Sequence, residues 1–225
     1  MINQIGSLNE TTLHNDLKWW YSKSNDQLEQ KIGNFIIDIV RDDLLIEIQT
    51  KNFAAIRNKL EILLQNHKVK LVHPIIQDKW IVNLNTQLNK IIRRRLSPNH
   101  FSYISIFNEL IRIPTMIFHP NFTIELVLVQ IEEIRQQNRN GSRKRIGWSI
   151  YDRKLVKVLE RKHFQSPSDF LCFVPNNLEA PFTNIELARS LKMSIRFIQK
   201  MSYCLRKMGI FKLVGKRSNS YLYDL

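Results

Sequence analysis

The stretch from Asn34 to Lys51 constrains this chain most, because it sets two short apolar runs around an acidic turn, Asp42-Asp43. Phe35, Ile37 and Ile39 alternate on one side of the turn, and Leu44, Ile46 and Ile48 on the other. Period-two alternation predicts a β-hairpin with those residues on its buried face, and it turns Asp38, Glu47 and Gln49 to the opposite face. With the turn centred on Asp42-Asp43, Asp38 falls opposite Glu47, at a Cβ separation of about 5 Å, where facing like charges destabilise a hairpin. A cation between them removes that penalty. Two carboxylates with room for water suit Mg²⁺, or Mn²⁺ in its place.

Asp38 followed by Glu47-Ile48-Gln49 on the next strand resembles the core motif of the PD-(D/E)XK nuclease superfamily. That resemblance implies that Asp38 and Glu47 hold a divalent ion and an attacking water. The Pro that usually precedes the Asp is Ile37 here, and the Lys of the motif is Gln49. Gln49 carries no positive charge, so Lys51, two residues on, is the expected substitute on that strand. In the archaeal Holliday-junction resolvase branch a Glu on the first helix completes the metal site, and Glu10 stands in the corresponding place. Glu29, before the first apolar run, is a further candidate for the role.

The following chain fits the same core. Leu13, Leu17 and Trp20 predict a helix over residues 9–21, capped by Asn9 or Ser7. Phe53, Ile56, Leu60, Leu63 and Leu64 predict a second helix after Lys51. Lys68 to Ile75 alternates as a strand that is expected to end at Pro74, with His73 near the site but more naturally a satisfied strand-end histidine. Lys79–Leu84 reads as a second short strand. Arg93, Arg94 and Arg95 precede a Ser-Pro turn, and consecutive arginines suit bidentate contact with phosphate. Residues 101–112 read as a helix stopped by Pro114. Residues 121–134 alternate as a strand that closes the sheet, with Glu125, Glu132 and Glu133 expected to be exposed.

Charge divides the chain. The formal net charge is +14, and residues 141–225 hold 17 Lys/Arg against 6 Asp/Glu. Such an excess points to a polyanionic partner. The basic, unpatterned segment 136–145 reads as a linker, so the expected domains are 1–140 and 146–225. In the second, residues 148–160 read as a first helix and 166–181 as a long loop. Thr183 and Glu186 form a capping-box pattern at the start of the next helix, and Ser194 begins a third that ends at Gly209. A basic hairpin over 210–223 follows. This order is similar to a bacterial winged helix. It puts Ser194, Arg196, Gln199, Lys200 and Tyr203 on a recognition helix facing duplex DNA, with Lys216 and Arg217 on the wing.

The expected fold class is an α/β restriction-endonuclease-like mixed sheet flanked by helices, followed by an α+β winged helix-turn-helix domain. The pairing resembles a prokaryotic family of unknown function. Two functions follow. The first is a Mg²⁺-dependent DNA endonuclease, in which Gln49 orients the water and Lys51 or the Arg93–Arg95 cluster neutralises charge. The second is a noncatalytic DNA-binding regulator that keeps the nuclease fold as a scaffold. A homodimer is compatible with either. Cys172 and Cys204 lack metal-ligand spacing and read as free thiols. No leader is apparent, and no run approaches the roughly 18 apolar residues of a membrane span, so a cytoplasmic location is expected.

Overall fold

A computed structural model of the chain describes residues 12–85, 90–137 and 148–225. Its centre is a mixed seven-stranded sheet in the order β1-β2-β3-β4-β6-β7, with β5 paired to the far part of β4. Helix α1 (Thr12–Tyr21) leads into β1 (Gln27–Ile32), β2 (Phe35–Arg41) and β3 (Leu44–Ile48). These strands run as an antiparallel meander, and α2 (Phe53–Leu63) then crosses over to β4 (Lys68–Asn85), which pairs parallel to β3. β5 (Lys90–Leu96) turns back on β4, β6 (Phe122–Gln137) runs parallel to β4 along its length, and β7 (Trp148–Phe164) is antiparallel to β6.

The hairpin register is the one predicted: Ile39 pairs with Ile46, Val40 with Leu45 and Arg41 with Leu44. Its burial differs, because the sheet is covered on both sides. Ile39, Ile46 and Ile48 pack under α1 with Leu13, Leu17 and Tyr21. Ile37 and Leu45 belong instead to the core under α2, with Phe53, Ile56, Leu60, Leu63 and Leu64. Tyr21, not Trp20, completes the α1 stripe, and Trp20 is exposed.

β1 was not anticipated as a strand. Its exposed edge carries only Leu28 and Ile32 as apolar contacts, and Glu29 interrupts the ladder at φ 52°. Gly33 (φ 58°) opens the turn into β2, a conformation that favours glycine.

β4 does not stop at Pro74. The Gln49 N–H bonds the Val72 carbonyl, so Val72, and Pro74 two residues later, address the β3 edge. β3 has ended by that level, and a proline there forfeits no ladder bond. The two short strands expected over 68–84 are therefore one. Residues 101–112 hold only a 3₁₀ turn, Tyr103–Ile106, and the one-turn helix α3, Phe107–Leu110.

The main correction concerns residues 148–160, which form strand β7 and not a helix. Leu155 and Val158 pack into the α1-side core, and Leu159 into the other. The expected linker lies largely in 138–147, outside the described residues, but β7 returns to the same sheet, so a division at 145 would cut an antiparallel pair. The second unit begins after Phe164. A 3₁₀ segment, Pro167–Phe173, is capped by Ser166 and Asp169. A small sheet in the order β8-β10-β9 follows, with β8 at Phe182–Thr183, β9 at Lys212–Arg217 and β10 at Ser220–Asp224. It packs with α4 (Asn184–Leu191) and α5 (Ile195–Lys207). Thr183 and Glu186 make the predicted capping box, and Ser194 caps α5. Phe164 stacks on Phe173 at 5.7 Å, and Phe107 of α3 meets Phe173 at 5.3 Å, so the second unit shares one continuous core with the first.

Among the described residues no helix is long and apolar enough to cross a membrane. Both cysteines are free, and burial pushes the Cys204 thiol up to about 12.

Candidate functional site

The ladder between β2 and β3 opens just beyond Ile39–Ile46, and the two predicted carboxylates meet at that fork. Asp38 uses Oδ2 to accept the Ile48 N–H at 2.7 Å, and Oδ1 lies 3.0 Å from His14 Nε2 on α1. Glu47, on the α2 side, has Oε1 2.6 Å from Lys59 Nζ. The same ammonium donates to the Ile36 carbonyl at 2.6 Å. The Lys59–Glu47 contact is an ion pair outside hydrogen-bond geometry, so Oε1 is buried with no hydrogen-bond donor aligned on it.

Burial and the charge of Asp38 push the Glu47 carboxyl up to about 7, against the pull of Lys59. Burial also works to raise Asp38, but the hydrogen bond and charge of His14, the Ile48 N–H and Lys59 together hold it below the usual carboxylate range. The two acids are thus pushed apart, a pattern common at functional sites.

Two carboxylates at one fork are the ligand type of a hard cation such as Mg²⁺, and here they are engaged by His14, the Ile48 N–H and Lys59. Among the described residues no group of three or more His, Cys, Asp or Glu side chains could hold a metal ion. Glu10 lies outside the described residues. Glu29 is bonded to Lys18.

The other predicted members of the site fall elsewhere. Gln49 donates its amide to the carbonyls of Lys51 and Asn52, and so braces the turn into α2. Lys51 lies beyond the end of β3 in that turn and is exposed. His73 is a core residue: it lies edge-on to Phe53 at 4.9 Å, Nδ1 contacts the Gln49 carbonyl, and burial lowers its pKa. The arginine cluster is remote. Ile48 pairs beside Val72, whereas Arg94 pairs beside Val82, ten residues on and about 30 Å along the strand.

Two residues were missed. Lys59 projects from the α2 flank that faces β2, between the buried Ile56 and Leu60, a position visible once the helix phase is fixed. His14 directly follows Leu13 and lies about one turn before Leu17, so its direction toward Asp38 depends on how α1 crosses the sheet.

The basic residues sort into free and tied groups. On α5, Arg196, Gln199, Tyr203 and Arg206 are exposed along one stripe, and the last three line a groove of about 310 Å³ against Leu213, Tyr221 and Tyr223 of the hairpin. Lys200 turns away and donates to Asn108 of the first unit at 2.8 Å. Ser194 serves as the helix cap. Lys216 lies over the Tyr221 ring at 5.2 Å, and Arg217 is tied to Glu186 at 2.7 Å. The arginines at 93–95 lie on the exposed strand β5. Arg94 stacks on Trp80 at 4.0 Å and bonds Glu132 at 2.9 Å.

Contrary to expectation, Glu125 and Glu133 are fully buried. Glu133 is ringed by Lys79, Arg135 and Arg153 at 3.3, 2.6 and 3.1 Å. Glu132 is only partly exposed.

Residues 11–165 match the family described as a domain of unknown function, DUF8091. The chain belongs to that family. The DUF8091 match ends one residue past β7, where the first sheet ends. The chain is also similar to an uncharacterized protein of Treponema pallidum (strain Nichols), 27% identical over 225 residues that cover 97% of this chain and 86% of the relative. No solved structure matches the chain.

Proposed function

We propose that this protein is a DNA-binding protein whose first unit is a PD-(D/E)XK-like core acting as a divalent-metal-dependent endonuclease. The observation that carries the reading is the convergence of Asp38, Glu47 and Lys59 at the β2–β3 fork. The element order helix, three antiparallel strands, helix, parallel strand supports it, since it is the order that the superfamily resemblance implies. Asp38 and Glu47 are the residues that would hold Mg²⁺ or Mn²⁺. Bound there, such an ion supplies a water of lowered pKa and a positive charge at the scissile phosphate.

The chain's own residues do the rest. His14 and the Ile48 N–H fix the Asp38 carboxylate in one orientation. Lys59 brings to the fork the positive charge that Gln49 lacks, and can stabilise charge developing on phosphate. Helices α4 and α5 with the β9–β10 hairpin, read as a winged helix, deliver duplex DNA through Arg196, Gln199, Tyr203 and Arg206.

A noncatalytic regulator on a degenerate nuclease fold is the second reading. It is favoured by the engagement of Gln49 with its own turn and by the internal partners already held by both carboxylates.

Cleavage of supercoiled plasmid with Mg²⁺ or Mn²⁺ tests the pair. Nicking by the wild type that disappears in Asp38→Ala and Glu47→Ala supports the endonuclease. Salt-sensitive DNA binding without nicking under either ion supports the regulator.

A further inference from the structure

Away from the fork, a second group of charged side chains lines a cavity of about 350 Å³ at the C-terminal end of α1. Its floor is Glu125, which is fully buried near the start of β6. The next residues on that face, Val127 and Val129, are apolar core, so the strand pattern asks for a hydrophobic side chain where Glu125 stands. Burying a carboxylate is costly, and an apolar residue of similar volume usually serves stability as well or better.

Glu125 is held by its neighbours without being saturated. Tyr21 donates to Oε1 at 2.8 Å, and Arg161 approaches the same oxygen at 3.5 Å. Lys70 and His163 lie 3.1 and 3.4 Å from Oε2 as ion-pair contacts, yet no hydrogen bond of good geometry reaches that atom. Oε2 is itself buried, so Glu125 anchors the Lys70 and Arg161 side chains beneath the cavity and does not meet a ligand.

The walls are cationic. Arg41 is spent on Asp26 and on the Tyr21 carbonyl. Lys23, Lys70 and Arg161 remain around the single carboxylate. At the rim Trp20 is 46% exposed, and the Arg161 guanidinium lies 5.4 Å from its ring centroid. A flat aromatic surface and an excess of positive charge define a ligand with a planar ring and an anionic group.

We propose that this cavity binds a nucleotide. The phosphate sits among Lys23, Lys70 and Arg161. The base extends the Trp20–Arg161 stack. The cavity size is that of small-ligand sites. Tyr21 lies seven residues beyond His14, about 10 Å of helix, so the site is separate from the fork and does not depend on the cleavage reading. The same chemistry is carried by a free nucleotide and by the phosphorylated 5′ end of a strand.

Isothermal titration of the full chain in a chelator, with no divalent ion present, tests this. The probes are adenosine monophosphate, adenosine, inorganic phosphate, and a short single strand with or without a 5′ phosphate. Saturable binding of the monophosphate or of the 5′-phosphorylated strand is expected, and which of the two binds tighter identifies the source. Adenosine and phosphate alone should each bind at least about ten-fold more weakly. The substitutions Arg161→Gln and Trp20→Ala should each weaken binding about ten-fold, the size expected for loss of one charge contact or one base stack, in variants shown by circular dichroism to be folded at the titration temperature. Equal affinity for phosphate and for the monophosphate overturns the proposal. So does binding that survives both substitutions, or no saturable binding by folded wild type.

Discussion

Lys59 Nζ lies 2.6 Å from Glu47 Oε1 and also holds the Ile36 carbonyl, so one helical lysine joins α2 to both strands of the fork. If that ammonium supplies the positive charge for phosphate chemistry, Lys59→Met should abolish plasmid nicking by about 100-fold or more, the scale for removal of one preorganised electrostatic contact. DNA affinity measured by fluorescence anisotropy should stay within about two-fold of wild type, because the α5 stripe is untouched. Nicking that persists in Lys59→Met would transfer the role elsewhere.

Glu47 gives the fork a pH signature. Its carboxyl is raised from 4.5 to about 7 in the folded chain, so its charge opposes folding. The cost is absent below pH 4.5, grows between pH 4.5 and 7, and is complete above 7. Glu47→Gln should therefore leave melting unchanged at pH 4 and raise stability at pH 8, by up to about 3 kcal/mol from the size of the shift. Added Mg²⁺ should stabilise the wild type and not the variant if Glu47 is a ligand. Calorimetric melts at the two pH values, with and without Mg²⁺, check both signs.

The hairpin register, the α2 stripe and the α4 capping box were legible because each is set by residues close in sequence. Residues 148–160 were not. Leu155, Val156, Val158 and Leu159 satisfy a helical stripe as well as a strand, and the choice is made by β6, whose pairing partners lie up to 40 residues away (Ile124 with Phe164). Burial of Glu125 and Glu133 was hidden for the same reason, since their cations come from β4 and β7 as well as from β6. The engagement of the Gln49 amide was hidden too, because it depends on the turn into α2.

The arm formed by β5 and the far part of β4 separates three consecutive arginines by face. Arg94 shares its face with Trp80, stacks on it and bonds Glu132, whereas Arg93 and Arg95 are exposed residues on the other face. If that face contacts phosphate, the double variant Arg93→Gln/Arg95→Gln should lower the slope of log affinity against log salt by about 2 for duplex DNA, with no change in melting temperature. Arg94→Gln should act chiefly on stability, by about 1 kcal/mol for the lost cation–π contact and ion pair. A salt titration of all three positions that shows equal slopes would remove the arm from the DNA surface.

Phe164 ends β7 and stacks between the two units, at 4.6 Å from Phe170 and 5.7 Å from Phe173, which in turn meets Phe107. It is fully buried. A ring placed there couples the first sheet to α4 and α5 through a shared core, so the units should unfold together despite the family match ending at residue 165. Phe164→Ala should cost about 3–5 kcal/mol, the range for emptying such a site. Because the cavity opens at the junction, the variant should also split the single melting transition into two, with tryptophan fluorescence reporting the first unit, where Trp19, Trp20, Trp80 and Trp148 all lie, and the β9–β10 unit melting separately by circular dichroism. Coincident transitions by both probes in wild type, and separated ones in Phe164→Ala, are the expected pair. Two transitions already present in wild type would mean that the aromatic contacts join the units only loosely, and that α5 can move relative to the fork when DNA is bound.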